Sequence, residues 1–258
     1  MENFDPFLPQ NLKKQELSET AAVENGQDAS RGDFGAYHRL LKHRKDDWVR
    51  LHAIIDGTEA AQYADQASAA LESLGLLSPN PVLLDAGCGP GAITEALRVR
   101  FRGARATGID ISQSAIQYAR EEYPQSRFET VAIDAHTSLP EKYDVIHARE
   151  FYPFTRTEDI SIHKQYLEVF AKHLKPGGVL ILALLSQKGT LADNSARLEP
   201  DMRAWGLSSF RRIPLASAAL LRLFRSFPVS RTATWAINTI TRRPQRYFYI
   251  SQRDQSPV

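Results

Sequence analysis

Four carboxylates in this 258-residue chain stand where short apolar runs end: Asp85, Asp110, Asp134 and Glu150. The first belongs to Asp85-Ala86-Gly87-Cys88-Gly89-Pro90-Gly91, a glycine-rich turn entered from Val82-Leu83-Leu84 and left through Ala92-Ile93-Thr94. A buried strand that turns in this way into a helix presents backbone amides and the positive helix end to whatever binds there. Gly87, Gly89 and Ala92 also satisfy the G-x-G-x-x-[G/A] spacing of dinucleotide sites, which alone is a weak signal. In such a site a carboxylate two residues before the first glycine would repel the pyrophosphate. Asp85 holds that place, and it would attract a ligand carrying an ammonium and a sulfonium instead.

The elements that must position these groups follow from periodicity. Residues 81–185 alternate short apolar runs with helical patterns, as βαβ units around a parallel sheet do. Strands are predicted over 82–86, 105–110, 127–132, 143–148 and 178–184, with helices over 91–101, 113–122 and 158–173. Lys175-Pro-Gly-Gly178 is expected to end the last helix and turn the chain into its strand. Before the core, Tyr37, Leu41, Trp48, Leu51 and Ile55 share one helical face, and Asp56-Gly57-Thr58 is expected to break that helix. A second helix follows, capped at Gly75. Two further strands are predicted over 208–213 and 246–252, separated by a helical, Arg-bearing insertion over 214–244.

Asp85-x-Gly87-x-Gly89-x-Gly91 followed by a helix resembles the first motif of the class I S-adenosylmethionine-dependent methyltransferases, in their small-molecule subgroup. The resemblance implies a doubly wound, Rossmann-like α/β fold: a seven-stranded, mainly parallel sheet with an N-terminal helical cap and a helical insertion before the last strand. It also implies S-adenosylmethionine as cofactor, with Asp85, Ala86, Gly87, Cys88, Gly89 and Gly91 in its loop. Asp110, with Ile111, falls where the family's carboxylate takes the ribose hydroxyls. Asp134 and Ala135 fall beside the adenine, and the end of the fourth strand, Ala148 and Arg149, beneath the methionine part. Asp134 also fits plain turn chemistry. The resemblance covers about residues 35–185 and touches the rest only in outline.

Ligands in open α/β sheets lie beyond the carboxyl ends of the strands, so Glu150-Phe151-Tyr152-Pro153-Phe154 is the expected acceptor wall. Glu150 is the candidate base, with His147 as a second candidate that a core role would explain as well. Tyr37 and His38 are candidate lid residues, and Arg222 and Arg225 are candidates for gripping an anionic acceptor. Cys88 is read as a packing residue and His163 as a surface one.

Composition narrows the class. Hydrophobic residues at 43% and charged ones at 24% fit an ordinary globular chain, and the longest apolar run, Val179 to Leu185, falls short of the ~20 residues of a spanning helix. One cysteine excludes an internal disulfide, and an acidic N-terminus without an apolar stretch points to the cytoplasm. The net charge of +2 conceals an asymmetry: from Met202 to Val258 there are ten Arg, no Lys and one acid, Asp254, for a local charge of +9.

The expected organisation is a mobile polar arm over 1–34 and one methyltransferase domain over 35–258. That domain divides into N-terminal helices or lid (35–77), cofactor core (78–185) and a C-terminal sheet half (186–258). Methyl transfer to a small molecule, a secondary metabolite or sugar derivative, leads. RNA or protein methylation through the basic region, a non-catalytic cofactor-binding subunit and NAD-dependent oxidoreduction are the alternatives. A homodimer and RNA or membrane-surface contact stay open, and DNA is not expected.

Overall fold

A computed structural model describes residues 46–134, 136–155, 157–186 and 190–255. The proposed arm, Tyr37, His38 and Ala135 lie outside the described residues. In chain order the elements are α1 (Asp46–Ser73), β1 (Val82–Ala86), α2 (Ala92–Arg100), β2 (Arg105–Asp110), α3 (Gln113–Glu122), β3 (Arg127–Thr130) and β4 (Tyr143–Arg149). They continue with α4 (Tyr152–Thr155), α5 (Ile160–His173), β5 (Leu174–Leu185), α6 (Leu191–Asn194), α7 (Glu199–Ala204), β6 (Arg211–Pro214), α8 (Ala218–Phe224), α9 (Phe227–Ile240) and β7 (Arg246–Gln252).

The seven strands form one sheet in the order β3-β2-β1-β4-β5-β7-β6. β1 pairs in parallel with both β2 and β4, so the strand order reverses between β1 and β4. β7 runs antiparallel to β5 and to β6. Successive residues of one strand feed opposite faces of the sheet. Leu84, Ile146, Leu180 and Leu182 join one hydrophobic cluster with α5, while Leu83, Val145, Val179 and Ile181 join another with α1 and α2. Both faces are therefore covered, which is why these strands read as continuous apolar runs rather than alternating ones.

Local signals set most boundaries. Ser112 caps α3 by accepting from the Ala115 amide, and Asp159 caps α5 by accepting from Ser161. Two expectations are corrected. α1 runs unbroken through Asp56-Gly57-Thr58, because Asp56 is held by Arg149 of β4 (2.9 Å), a tertiary contact that outweighs the weak helix propensity of one glycine. β5 begins at Leu174 rather than Gly178: Leu174 pairs with Tyr143, and the register then jumps so that Val179 pairs with Val145. The Lys-Pro-Gly-Gly segment is thus an irregularity inside the strand, with Gly177 at φ +76°.

Candidate functional site

The carboxyl ends of β1, β2 and β4 meet at the point where strand order reverses, the usual ligand crevice of an open α/β sheet. The glycine loop leaves β1 there. Gly91 has φ +89°, and a Cβ on it would stand 2.8 Å from Ala119 and from the Phe128 ring. Only glycine lets α2 start this close to α3 and β3. Gly87, at φ +75°, is exposed on the open side of the loop, with the Phe151 ring seated 3.1 Å from where its Cβ would be.

The loop's amides are already committed. Gly87 and Cys88 both donate to the Ile109 carbonyl (2.8 and 3.0 Å), Gly89 donates to Asp110 Oδ2 (2.9 Å), and Gly91 donates to the Cys88 carbonyl (3.1 Å). Position 90 is proline and has no N–H. The expectation that the loop itself offers its amides to a ligand is therefore corrected through Gly91. A pyrophosphate arriving here would find occupied donors and the Asp110 carboxylate beside them, so the loop does not suit a dinucleotide. Asp110, partly exposed at the tip of β2, accepts from Gly89 and, through Oδ1, from the Ser112 amide at 2.8 Å. These bonds fix its orientation at the tip of β2. Ile111 is half-buried next to it.

Asp85 is only 2% exposed and sits in a buried chain of hydrogen bonds. Thr94 Oγ1 donates to its Oδ2 at 2.5 Å, His147 Nδ1 lies 2.7 Å from its Oδ1, and Tyr63 Oη lies 2.6 Å from His147 Nε2. Burial first, with Asp85 nearby, holds the Tyr63 phenol far above its usual range, so the hydroxyl keeps its proton. If that proton goes to Nε2, the imidazole is neutral and Nδ1–H donates to Asp85, giving every proton in the chain an acceptor. His147 has no exposed surface and both nitrogens are engaged, which corrects its reading as a base touching substrate. Asp85 is likewise enclosed beneath the loop, with Thr94 and His147 on its two oxygens.

Arg149, expected under the cofactor, turns to α1 instead. It pairs with Asp56 at 2.9 Å and Glu59 at 3.7 Å, and its guanidinium lies 5.4 Å from the Tyr63 ring centre. Burial alone would lower its pKa, but Asp56, Tyr63, Glu59 and Glu150 together hold it above the ordinary range. Glu150, with φ +48°, follows β4 directly and accepts from Arg246 of β7 at 3.0 Å. The aromatic run divides. Phe154 is fully buried against Phe170 and Tyr166, while Phe151 and Tyr152 are half-buried, so packing claims part of the expected wall.

Asp134 is exposed beyond β3, and its Oδ1 accepts from the His136 amide and the Thr137 hydroxyl, bonds that lower its pKa. Turn chemistry thus takes one of its two oxygens. Cys88 is buried and its thiol is pushed well up by burial, with Asp110 and Asp85 adding to the effect, as a packing residue requires. Ala86 and Ala148 are fully buried, so only their backbone can reach the crevice. Arg222 and Arg225 stand exposed on α8 and at its end. His163 is buried rather than on the surface: its Nε2 is 3.1 Å from the Thr157 carbonyl, and burial lowers its pKa to about 4. Sequence reasoning misses Tyr63 as a member of this site, because its partner His147 stands 84 positions away and no local pattern links them.

Residues 77–235 match the family model described as a methyltransferase domain. The chain belongs to that family. Among curated relatives, the trans-aconitate 2-methyltransferase of Paracidovorax citrulli is 38% identical over 109 residues, which are 42% of this chain and 40% of that one. The malonyl-[acyl-carrier protein] O-methyltransferase of Acetivibrio thermocellus is 32% identical over 99 residues, 38% and 33% of the two chains. This chain therefore spans less than half the length of these curated relatives. The crystal structure of the magnesium protoporphyrin IX methyltransferase from Synechocystis, with S-adenosylmethionine bound, shares the fold at a TM-score of 0.53 and 19% identity, covering 92% of this chain and 97% of that one.

Proposed function

We propose that this chain transfers the methyl group of S-adenosylmethionine to a small anionic molecule. The observation that carries the reading is the glycine loop. Its amides are consumed inside the protein while the Asp85 and Asp110 carboxylates stand at its base and rim, a setting for a cationic sulfonium ligand with a ribose. The cofactor, when bound, supplies a methyl already activated on sulfur. The acceptor's lone pair forms the new bond to carbon as the carbon–sulfur bond breaks and sulfur keeps the electron pair.

The chain's own residues then have to orient and to exclude water. Asp110 holds the ribose, Asp85 sets the local negative field, and Phe151 packs at the loop. An ionised carboxylate needs no base, which suits a crevice where His147 is sealed off and Glu150 is held by Arg246. Relatives named for trans-aconitate and for a malonyl group favour such an acceptor. Glu150 and Arg246 together, with Tyr152, would line its approach. Calorimetry with S-adenosylmethionine, S-adenosylhomocysteine and NADH tests the reading: the first two should bind and NADH should not. Asp110→Ala should weaken the first two by about 1–3 kcal/mol through the lost charge-assisted bonds. Binding of NADH alone would overturn it.

A further inference from the structure

α8 and α9 pack as a hairpin that leaves several large apolar side chains exposed. The inner side of α9 is small and polar. Ser230, with no exposure, donates to the Leu220 carbonyl at 3.1 Å, and buried Thr234 accepts from the Ser217 amide at 2.9 Å. Gln66 of α1 fixes the base of the hairpin, accepting from the Ala216 amide at 2.7 Å and donating to its carbonyl at 3.2 Å. The hairpin's exposed positions include Leu223 (69% exposed), Phe224 (44%), Val229 (48%), Trp235 (48%), Ile237 (45%) and Ile240 (81%). A globular surface helix shows the reverse polarity. These six are most of the large exposed hydrophobics among the described residues, so the pattern is a local patch rather than ordinary scatter.

Charge decides what covers the patch. Arg222 and Arg225 flank it at the end of α8, and Arg242 and Arg243 follow α9, all exposed. Between Met202 and Arg253 there is no Asp or Glu. In a two-fold dimer formed through this face the arginine clusters would confront one another with no acid to offset them, which disfavours a second copy. Apolar side chains rimmed by arginine, on a helix too short and too polar to cross a bilayer, match an interface between acyl chains and anionic headgroups.

We propose that the α8–α9 hairpin docks this protein on an anionic lipid surface, with Leu223, Trp235 and Ile240 inserted and the four arginines on the headgroups. The docking does not depend on the methyl-transfer reading. It does fix an orientation. The hairpin joins the end of β6 to the start of β7, and Arg246 pairs with Leu185 at the carboxyl end of β5. The lipid-facing patch therefore stands at the same edge of the sheet as the glycine loop.

Sedimentation of the full chain with phosphatidylcholine vesicles, with and without phosphatidylglycerol, tests this. Binding is expected to the anionic vesicles alone and to weaken on raising salt from low to physiological strength. Leu223→Ser with Ile240→Ser should lower the partition coefficient on anionic vesicles by about tenfold or more. Arg242→Gln with Arg243→Gln should do the same at low salt. Both pairs lie in exposed positions, so unchanged melting curves confirm intact folds. Absence of binding to anionic vesicles, or binding indifferent to both pairs, overturns the proposal. So does a dimer in solution that Leu223→Ser with Ile240→Ser dissociates.

Discussion

Removing one hydroxyl, in Tyr63→Phe, isolates the buried chain that runs from α1 to the glycine loop. The ring stays, with its edge-on packing against Phe248 (5.5 Å between centres) and beneath Arg149, so no cavity of consequence opens. What changes is His147. Its Nε2 loses its partner, at 2.6 Å, in a place where the imidazole has no exposed surface and water has no evident access. A buried acceptor left unsatisfied costs about 1–3 kcal/mol. For a chain of this length that corresponds to a fall in Tm of roughly 2–10 °C. Equilibrium urea unfolding gives the free energy directly, and the m-value should be unchanged because the native surface is unchanged. Affinity for S-adenosylmethionine should fall far less than in Asp110→Ala, since Thr94 still holds Asp85 at 2.5 Å. A Tyr63→Phe protein as stable as the parent would refute the hydrogen-bond chain as drawn.

Three further outcomes follow from particular environments. His163 titrates near 4 when folded and near 6.5 when unfolded, so the unfolded chain binds the proton first as pH falls. Stability should be complete above about pH 6.5 and decline by about 3 kcal/mol towards pH 4, and His163→Gln should flatten that slope in urea titrations at successive pH values. Gly57 sits inside α1 with nothing within 4 Å of an added Cβ, so Gly57→Ala should raise stability by about 0.5–1 kcal/mol, read as a higher urea midpoint. Arg149→Met removes the cation that Asp56 and Glu59 share, at 2.9 and 3.7 Å. It should destabilise α1 first, seen as faster amide exchange over residues 50–60 with exchange in β1 and β4 little altered.

What could be read from the sequence was local. β1, β2 and α3 lie at their expected limits because each is bounded by its own signals: Pro81 ahead of β1, Ser112 as the cap of α3, and apolar runs of strand length. The glycine loop was legible for the same reason, since left-handed φ at Gly87, Gly89 and Gly91 leaves few other residues for those places. What escaped depends on contacts distant in the chain. Continuity of α1 through Gly57 rests on an arginine 93 positions away. The burial of His163 rests on how Phe154 packs beside it (6.1 Å between rings), and the withdrawal of Arg149 and His147 from the crevice rests on α1 lying across the end of β4. A strand-end residue can face a ligand or a covering helix, and periodicity is the same for both.

The charge asymmetry gains meaning only when placed on this framework. Ten arginines and one acid in the last 57 residues could have been spread over the sheet's exposed edge, where single charges discourage strand-to-strand association. Arg211 and Arg212 on the edge strand β6 do serve that place. Arg246 turns inward to hold Glu150 at the crevice, and Arg253 donates to the Ala171 and Leu174 carbonyls at 2.6 and 2.7 Å, closing the end of α5. Arg203 pairs with Glu199 on α7, and Arg231 donates to the Gln66 carbonyl at 3.3 Å. That leaves Arg222, Arg225, Arg242 and Arg243, which gather around the hairpin that also holds most of the large exposed hydrophobic side chains among the described residues. Solubility alone would separate cations from hydrophobic side chains; concentrating both on one hairpin beside the crevice is the arrangement an anionic, partly apolar surface selects.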